Sequence, residues 1–173
     1  YSHAALAKLI EFGAAVLICG RNHLPAGLLL PLSDHSEIVW RMDEQITASK
    51  PVCKRLWQQI VIAKILAQAN NLHAESSERR KLVQLAGEVR SGDVSNVEAQ
   101  AAKVYWSAWL GPGKTFRRDV DADDLNALLN YGYAIMRAAM ARALVGAGLQ
   151  PALGIHHANR AHAFCLADDL MEP

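Results

Sequence analysis

A mainly α-helical fold is expected of this chain, on three grounds. Ala and Leu abound while only 6% of its 173 residues are aromatic, which favours helices over a β-sandwich. From Pro31 onward, apolar residues recur at spacings of three and four, with capping residues before the runs and glycines after them. At 51% apolar and 20% charged, the composition is that of a packed domain and not of a disordered segment.

Residues 3–12 put Leu6, Leu9 and Ile10 on one helical face, and Gly13 stands where the helix should stop. Two short apolar runs follow, Ala14–Cys19 and Ala26–Leu30, separated by Gly20-Arg-Asn-His-Leu-Pro25. Bounded by turn residues and rich in Val, Ile and Leu, they read as buried strands. Two strands and one helix cannot close a core, so residues 1–32 read as the end of an N-terminal β-rich domain. The remainder, 33–173, reads as helical.

Ser36 is the expected cap of a helix over 37–48, and Ser49 with Pro51 starts a long helix to about Leu72. Ser76 or Ser77 opens the next, with Leu82, Leu85, Ala86 and Val89 inward and Gly92 ending it. Asn96 caps 97–110, which Gly111-Pro-Gly113 terminates. Residues 122–147 carry acids at their start, arginines later and Gly148 after their end, in line with the helix dipole. The chain opens at Tyr1 without a Met and stops at Pro173 after a charged turn, as a segment of a longer protein would.

Eighteen Lys+Arg against 17 Asp+Glu leave a formal +1, so net charge alone implies no partner. Its distribution is uneven. Residues 54–90 hold seven Lys/Arg against Glu75, Glu78 and Glu88, a local +4, whereas the last nine residues hold Asp168, Asp169 and Glu172, a local −3. Solvated helix faces explain such a pattern, and so does a metal-dependent enzyme acting on nucleic acid. No apolar run approaches the ~20 residues of a membrane span, and no secretory leader is recognisable. Cys19, Cys53 and Cys165 are odd in number and scattered, which argues against a disulfide framework or a zinc site and fits a reducing cytoplasm.

Ala108-x-x-x-x-Gly113-Lys-Thr115 matches the relaxed phosphate-loop pattern. It follows a helix end where a phosphate loop needs a strand, so no nucleotide site is expected there. Asp168, Asp169 and Glu172 fall three and four apart, converging on one helical face; a hard cation would relieve their repulsion, and a helix N-terminus would also collect them. His156-His157 follows the apolar Pro151-Ala-Leu-Gly-Ile155, so one ring should face inward and the other outward. Glu98 shares a helical stripe with Ala101, Ala102 and Tyr105, whose small members let another segment approach. It is either semi-buried and aimed inward or a first-turn acid supporting the cap. On this chemistry alone a generic metallohydrolase is the reading.

Four segments in order carry a resemblance: Glu98-Ala-Gln-Ala-Ala-Lys-Val-Tyr-Trp, Asn130-Tyr-Gly-Tyr-Ala-Ile-Met-Arg-Ala, Pro151-Ala-Leu-Gly-Ile-His-His and Ala167-Asp-Asp-Leu-Met-Glu-Pro. They closely resemble the CRISPR-associated spacer integrase family, in the variant of type II systems. Cys19-Gly-Arg-Asn-His-Leu-Pro-Ala-Gly resembles the end of that family's N-terminal β domain, so the likeness spans the chain. It departs in length, lacking most of the β domain and the Phe-Arg-Pro-like continuation after Pro173.

The resemblance implies a C-terminal helical catalytic domain and a metal site of Glu98, His157 and Glu172, with Asp169 as a further contributor and His156 as a neighbour. It implies Mg²⁺ or Mn²⁺ as the ion, which oxygen ligands plus one imidazole suit better than zinc. The implied reaction is transesterification, in which the 3′-hydroxyl of a short foreign DNA attacks a phosphodiester at a CRISPR repeat. Run with water as nucleophile, the same site is an endonuclease. The implied partners are double-stranded DNA (prespacer and repeat), a second copy of the chain and a small second CRISPR-associated protein. Arg117, Arg118, Arg137, Arg142 and Arg160 flank the motifs as candidate phosphate contacts. Tyr105, Tyr131 and Tyr133 either line the site or pack, and packing is expected for at least two.

Overall fold

The computed structural model describes residues 1–21, 25–32, 35–110 and 125–171. Its elements in order are α1 (His3–Glu11), β1 (Val16–Cys19), β2 (Pro25–Leu29), α2 (Ile38–Thr47), α3 (Lys50–Asn70), α4 (Ser77–Glu88), α5 (Val97–Trp109), α6 (Leu125–Gly146) and α7 (Cys165–Met171). The expected mainly helical fold is what is found. Two compact units divide the described residues, one formed by 49–110 and the other by 1–48 with 125–171.

The unit of residues 49–110 is a three-helix packing. Ser49 occupies the cap position of α3, with Pro51 in the first turn where its missing N–H costs nothing. Trp57, Val61, Ile65 and Ala69 lie on one stripe of α3 and are buried against Leu82, Leu85 and Ala86 of α4 and Val97 and Ala101 of α5. Ser76 caps α4, its Oγ accepting from the Arg79 amide at 3.1 Å. Asn96, in a left-handed backbone conformation, caps α5 by accepting from the Ala99 amide at 3.4 Å.

In the other unit α7 packs on α6, with Leu144, Leu166 and Ala167 buried together and Met140, Leu149, Ile155 and Phe164 around them. Gly148 ends α6 at φ +72, a region where a side chain would be strained, and lets the Leu149 amide return to the Leu144 carbonyl at 2.8 Å. Arg41 of α2 caps the same end, donating to the Ala147 carbonyl at 2.6 Å. Gln45 and Gln150 exchange two hydrogen bonds, the Gln150 amide to Oε1 at 2.8 Å and Nε2 to the Gln150 carbonyl at 3.3 Å.

Two details differ from expectation. The cap of α2 is Glu37, not Ser36; the His35 Nδ1 accepts the Glu37 amide at 3.2 Å, so the helix begins one residue later. The strands form an antiparallel hairpin, Val16 opposite Leu29 and Ile18 opposite Gly27, with a register irregularity before Cys19. They are not buried: Ile18 is 47% and Leu29 38% exposed, because a two-stranded ribbon, with α6 against β1, cannot hide both its faces.

Candidate functional site

The residues after Leu149 have no regular structure until α7, and a single carboxylate organises them. Asp169, fully buried on α7, accepts the backbone amides of Ile155 (2.6 Å) and His156 (3.0 Å) on Oδ2 and that of His157 (3.2 Å) on Oδ1. Its Oδ1 also meets the His157 ring at Nδ1, 2.6 Å away. Burial of an ionised carboxylate is costly, and four donors are what make it tolerable here. The consequence falls on His157. In the neutral ring, Nδ1–H donation to the carboxylate leaves the lone pair on Nε2, on a side chain 57% exposed.

Gly154 allows this turn to close. A Cβ there would overlap the His157 carbonyl oxygen and stand 2.9 Å from Cys165 Cβ and 3.0 Å from Asp169 Oδ2. Cys165, also buried, donates from Sγ to the carbonyls of His162 (3.5 Å) and Asn159 (3.7 Å), tying the segment before α7 to its first turn.

Asp168 faces another set of partners. Arg137 of α6 donates from Nε to Oδ1 at 2.6 Å and from Nη2 to Oδ2 at 3.3 Å, and His162 Nε2 lies 2.5 Å from Oδ2. The two aspartates that a helical wheel brings together are therefore neutralised separately, by an arginine–histidine pair and by a loop of amides. Arg137, a candidate phosphate contact, is an ion-pair partner of Asp168 in this structure, whereas Arg142 and Arg160 are exposed. Arg117, Arg118 and Glu172 lie outside the described residues, as does most of the phosphate-loop match; its first two residues, Ala108 and Trp109, end α5 and are not a strand. His156 and His157 are both exposed, their rings 5.3 Å apart and nearly perpendicular, so the expected inward–outward contrast is absent. What separates them is the grip on the His157 Nδ1.

Glu98 belongs to the unit of residues 49–110 and sits in the first turn of α5. Asp93, at φ +46, accepts the Val97 amide (2.9 Å) and the Glu98 amide (3.0 Å), which places the turn. The Glu98 side chain is 27% exposed, and its Oε1 accepts from the ammonium of Lys64, itself 6% exposed. Sequence reasoning counted Lys64 in the basic surface and so missed it; the signal was a lysine on the stripe of the apolar Trp57, Val61 and Ile65. Tyr105 is stacked with Trp109 at 6.5 Å and edge-on to Trp106 at 5.5 Å, whereas Tyr131 is 55% exposed. Among the described residues, no three His, Cys, Asp or Glu side chains are grouped to hold a metal ion.

An exposed imidazole oriented by a buried carboxylate in one unit, and an ion-paired glutamate in the other, are residue types that polar reaction sites use. The chain belongs to the Cas1 family: the family model described as "CRISPR associated protein Cas1" matches residues 1–173. It is 43% identical over 175 residues to the CRISPR-associated endonuclease Cas1 of Neisseria meningitidis serogroup C, covering 97% of this chain and 55% of that protein. A Pyrobaculum aerophilum relative, "CRISPR-associated endonuclease Cas1 2", is 29% identical, covering 99% of this chain and 62% of its own length. The chain thus spans little more than half of these relatives. Among solved structures, a casposase bound to integration product matches with a TM-score of 0.76 at 23% identity, over 99% of this chain and 53% of that one. A partial Cas6-RT-Cas1–Cas2 complex matches at 0.64 and 24% identity, over 98% and 57% of the two chains. At these identities the likeness is one of fold.

Proposed function

We propose that this chain is the helical catalytic part, residues 33–173, of a metal-dependent DNA integrase and endonuclease that inserts short foreign DNA into a CRISPR array, residues 1–32 being the end of its β-rich domain. The observation that carries the proposal is His157, held through Nδ1 by the buried Asp169 in a chain of the Cas1 family. Glu98, His157 and Glu172 are the proposed holders of a Mg²⁺ or Mn²⁺ ion, a carboxylate-and-imidazole set that suits a hard divalent cation. Asp169 takes the supporting position behind His157, because both its oxygens already accept donors.

When bound, the ion would supply Lewis-acid stabilisation to the phosphoryl, attacking and leaving oxygens. The protein's part is positional. Asp169 keeps His157 in one tautomer and one orientation, and the exposed Arg142 and Arg160 hold backbone phosphates, as do Arg117 and Arg118 on the sequence reading. The 3′-hydroxyl oxygen of the incoming strand forms a P–O bond as a phosphodiester P–O bond of the repeat breaks. One ester replaces another and no nucleotide fuel is needed. The proposed partners are double-stranded DNA, a second copy of the chain and a small Cas2-type protein; the two solved neighbours are a casposase with its integration product and a complex containing Cas2. A cytoplasmic setting is proposed with them.

Strand transfer of a short duplex into a repeat-bearing target, with and without Mn²⁺, tests the reading. His157→Ala is expected to abolish metal-dependent transfer while His156→Ala leaves a measurable fraction. Exchange of these phenotypes would overturn the role given to His157. A second reading, a folding and assembly module without activity of its own, is favoured by the chain's spanning 55% of its Neisseria relative. Metal-dependent transfer by this segment, compared with that of a relative's full length, separates the two.

A further inference from the structure

Lys64 is the least expected residue of the unit formed by 49–110. It lies on the buried stripe of α3, 6% exposed, with its ammonium 5.6 Å from the centre of the Trp57 ring and in an ion pair with Glu98 Oε1. An ammonium in such a place is costly to desolvate unless paired, and a leucine or methionine would pack there without that cost. The partner it meets is the carboxylate to which a metal-binding role has been given above.

We propose that Lys64 is a resident counter-cation for Glu98, which holds the carboxylate in place when no metal is present and keeps the affinity of the DNA-free protein for divalent ions low. The inference rests on the proposed function and deepens it. A divalent ion approaching Glu98 meets a unit positive charge on the same carboxylate, and their repulsion opposes binding in a partly desolvated setting. An incoming phosphodiester adds the negative charge that offsets Lys64. Metal and DNA therefore bind with positive coupling, and by linkage each strengthens the other. The device would leave the site weakly loaded, and so weakly hydrolytic, until DNA is present. Lys64 is a positioning residue here, acting through Glu98.

Mn²⁺ affinity of the full protein, measured by calorimetry or by the electron-spin signal of free Mn²⁺, tests this without any activity readout. The wild type is expected to bind Mn²⁺ more tightly with a DNA duplex present than without; equal affinities would overturn the inference. Lys64→Met, which keeps the stem over Trp57, is expected to tighten Mn²⁺ binding to the DNA-free protein by about tenfold or more and to shrink the DNA-dependent gain. Lys64→Arg, retaining the charge, should bind as weakly as the wild type. Unchanged or weaker binding in Lys64→Met, with its helicity intact, would overturn the proposal; Lys64→Gln is the second neutral variant should the first not fold. Glu98→Gln separates the two levels. If it abolishes Mn²⁺ binding while Lys64→Met changes nothing, Lys64 has no such role and the metal reading stands. If Glu98→Gln leaves Mn²⁺ binding intact, the metal reading of Glu98 falls and this inference with it.

Discussion

Asp169 joins two jobs in one carboxylate: it closes the 155–157 turn through three amides and sets the His157 ring. Asp169→Asn keeps the size but replaces one accepting oxygen by a donor that faces donors. Denaturant melts should show a loss of roughly 2–3 kcal/mol, and strand transfer should fall by about tenfold to a hundredfold. Gly154→Ala should cost about 1–3 kcal/mol by the same assay, since the turn must open for its Cβ to clear the His157 carbonyl. The motif order made Glu98, His157 and Asp169 legible as candidates. Their couplings were not legible, because the helical wheel set Asp168 and Asp169 on one face while tertiary contacts gave them different partners. Lys64 was legible only as an anomaly, a charge on an apolar stripe.

Helix ends were the best-read elements, since caps are local chemistry. Ser76 and Asn96 sit where the sequence put them, whereas Ser36 lost its place to the ring of His35. Strand burial was misread because it depends on what covers a ribbon, which apolar runs do not state. Asp93, unnoticed in the sequence, does more for α5 than a distant reading suggests. Asp93→Ala should cost about 1–2 kcal/mol in melts, by freeing the Val97 and Glu98 amides together. At the start of α4, the Glu78 carboxyl is held below its ordinary value by its own backbone amide and then by the Ser77 hydroxyl. A lowered folded pKa means a contribution present above the unfolded value and lost as pH falls through the folded one. Glu78→Gln should therefore lower the melting temperature slightly near neutrality and leave it unchanged in strong acid.

On the proposed function, charge placement would decide how DNA is held. Lys54, Arg55, Arg80, Lys81 and Arg90 are exposed, and Lys64 is withdrawn into the core. DNA affinity should fall steeply with salt, linearly on logarithmic axes, as released counterions require. Neutralising Lys81 should lower that slope by about one unit if it touches a phosphate, and leave it unchanged if it is only solvated. Salt-independent affinity, or strong preference among linear duplex sequences, would contradict a backbone-directed interface.

The turn around Asp169 also limits how the protein can change over generations. At Glu98, a neutral substitution takes away the carboxylate that the buried Lys64 ammonium meets, so the fold shares the cost even though Asp93 still supports the start of the helix. At Asp169 the link is tighter still, because the atoms that aim the imidazole are the atoms that hold the turn shut. A deep mutational scan scored separately for abundance and for integration should place Asp169 variants on the diagonal, and Glu98 variants closer to it in the wild type than in a Lys64→Met background. Drift at Glu98 therefore runs through Lys64, and drift at Asp169 through the whole turn.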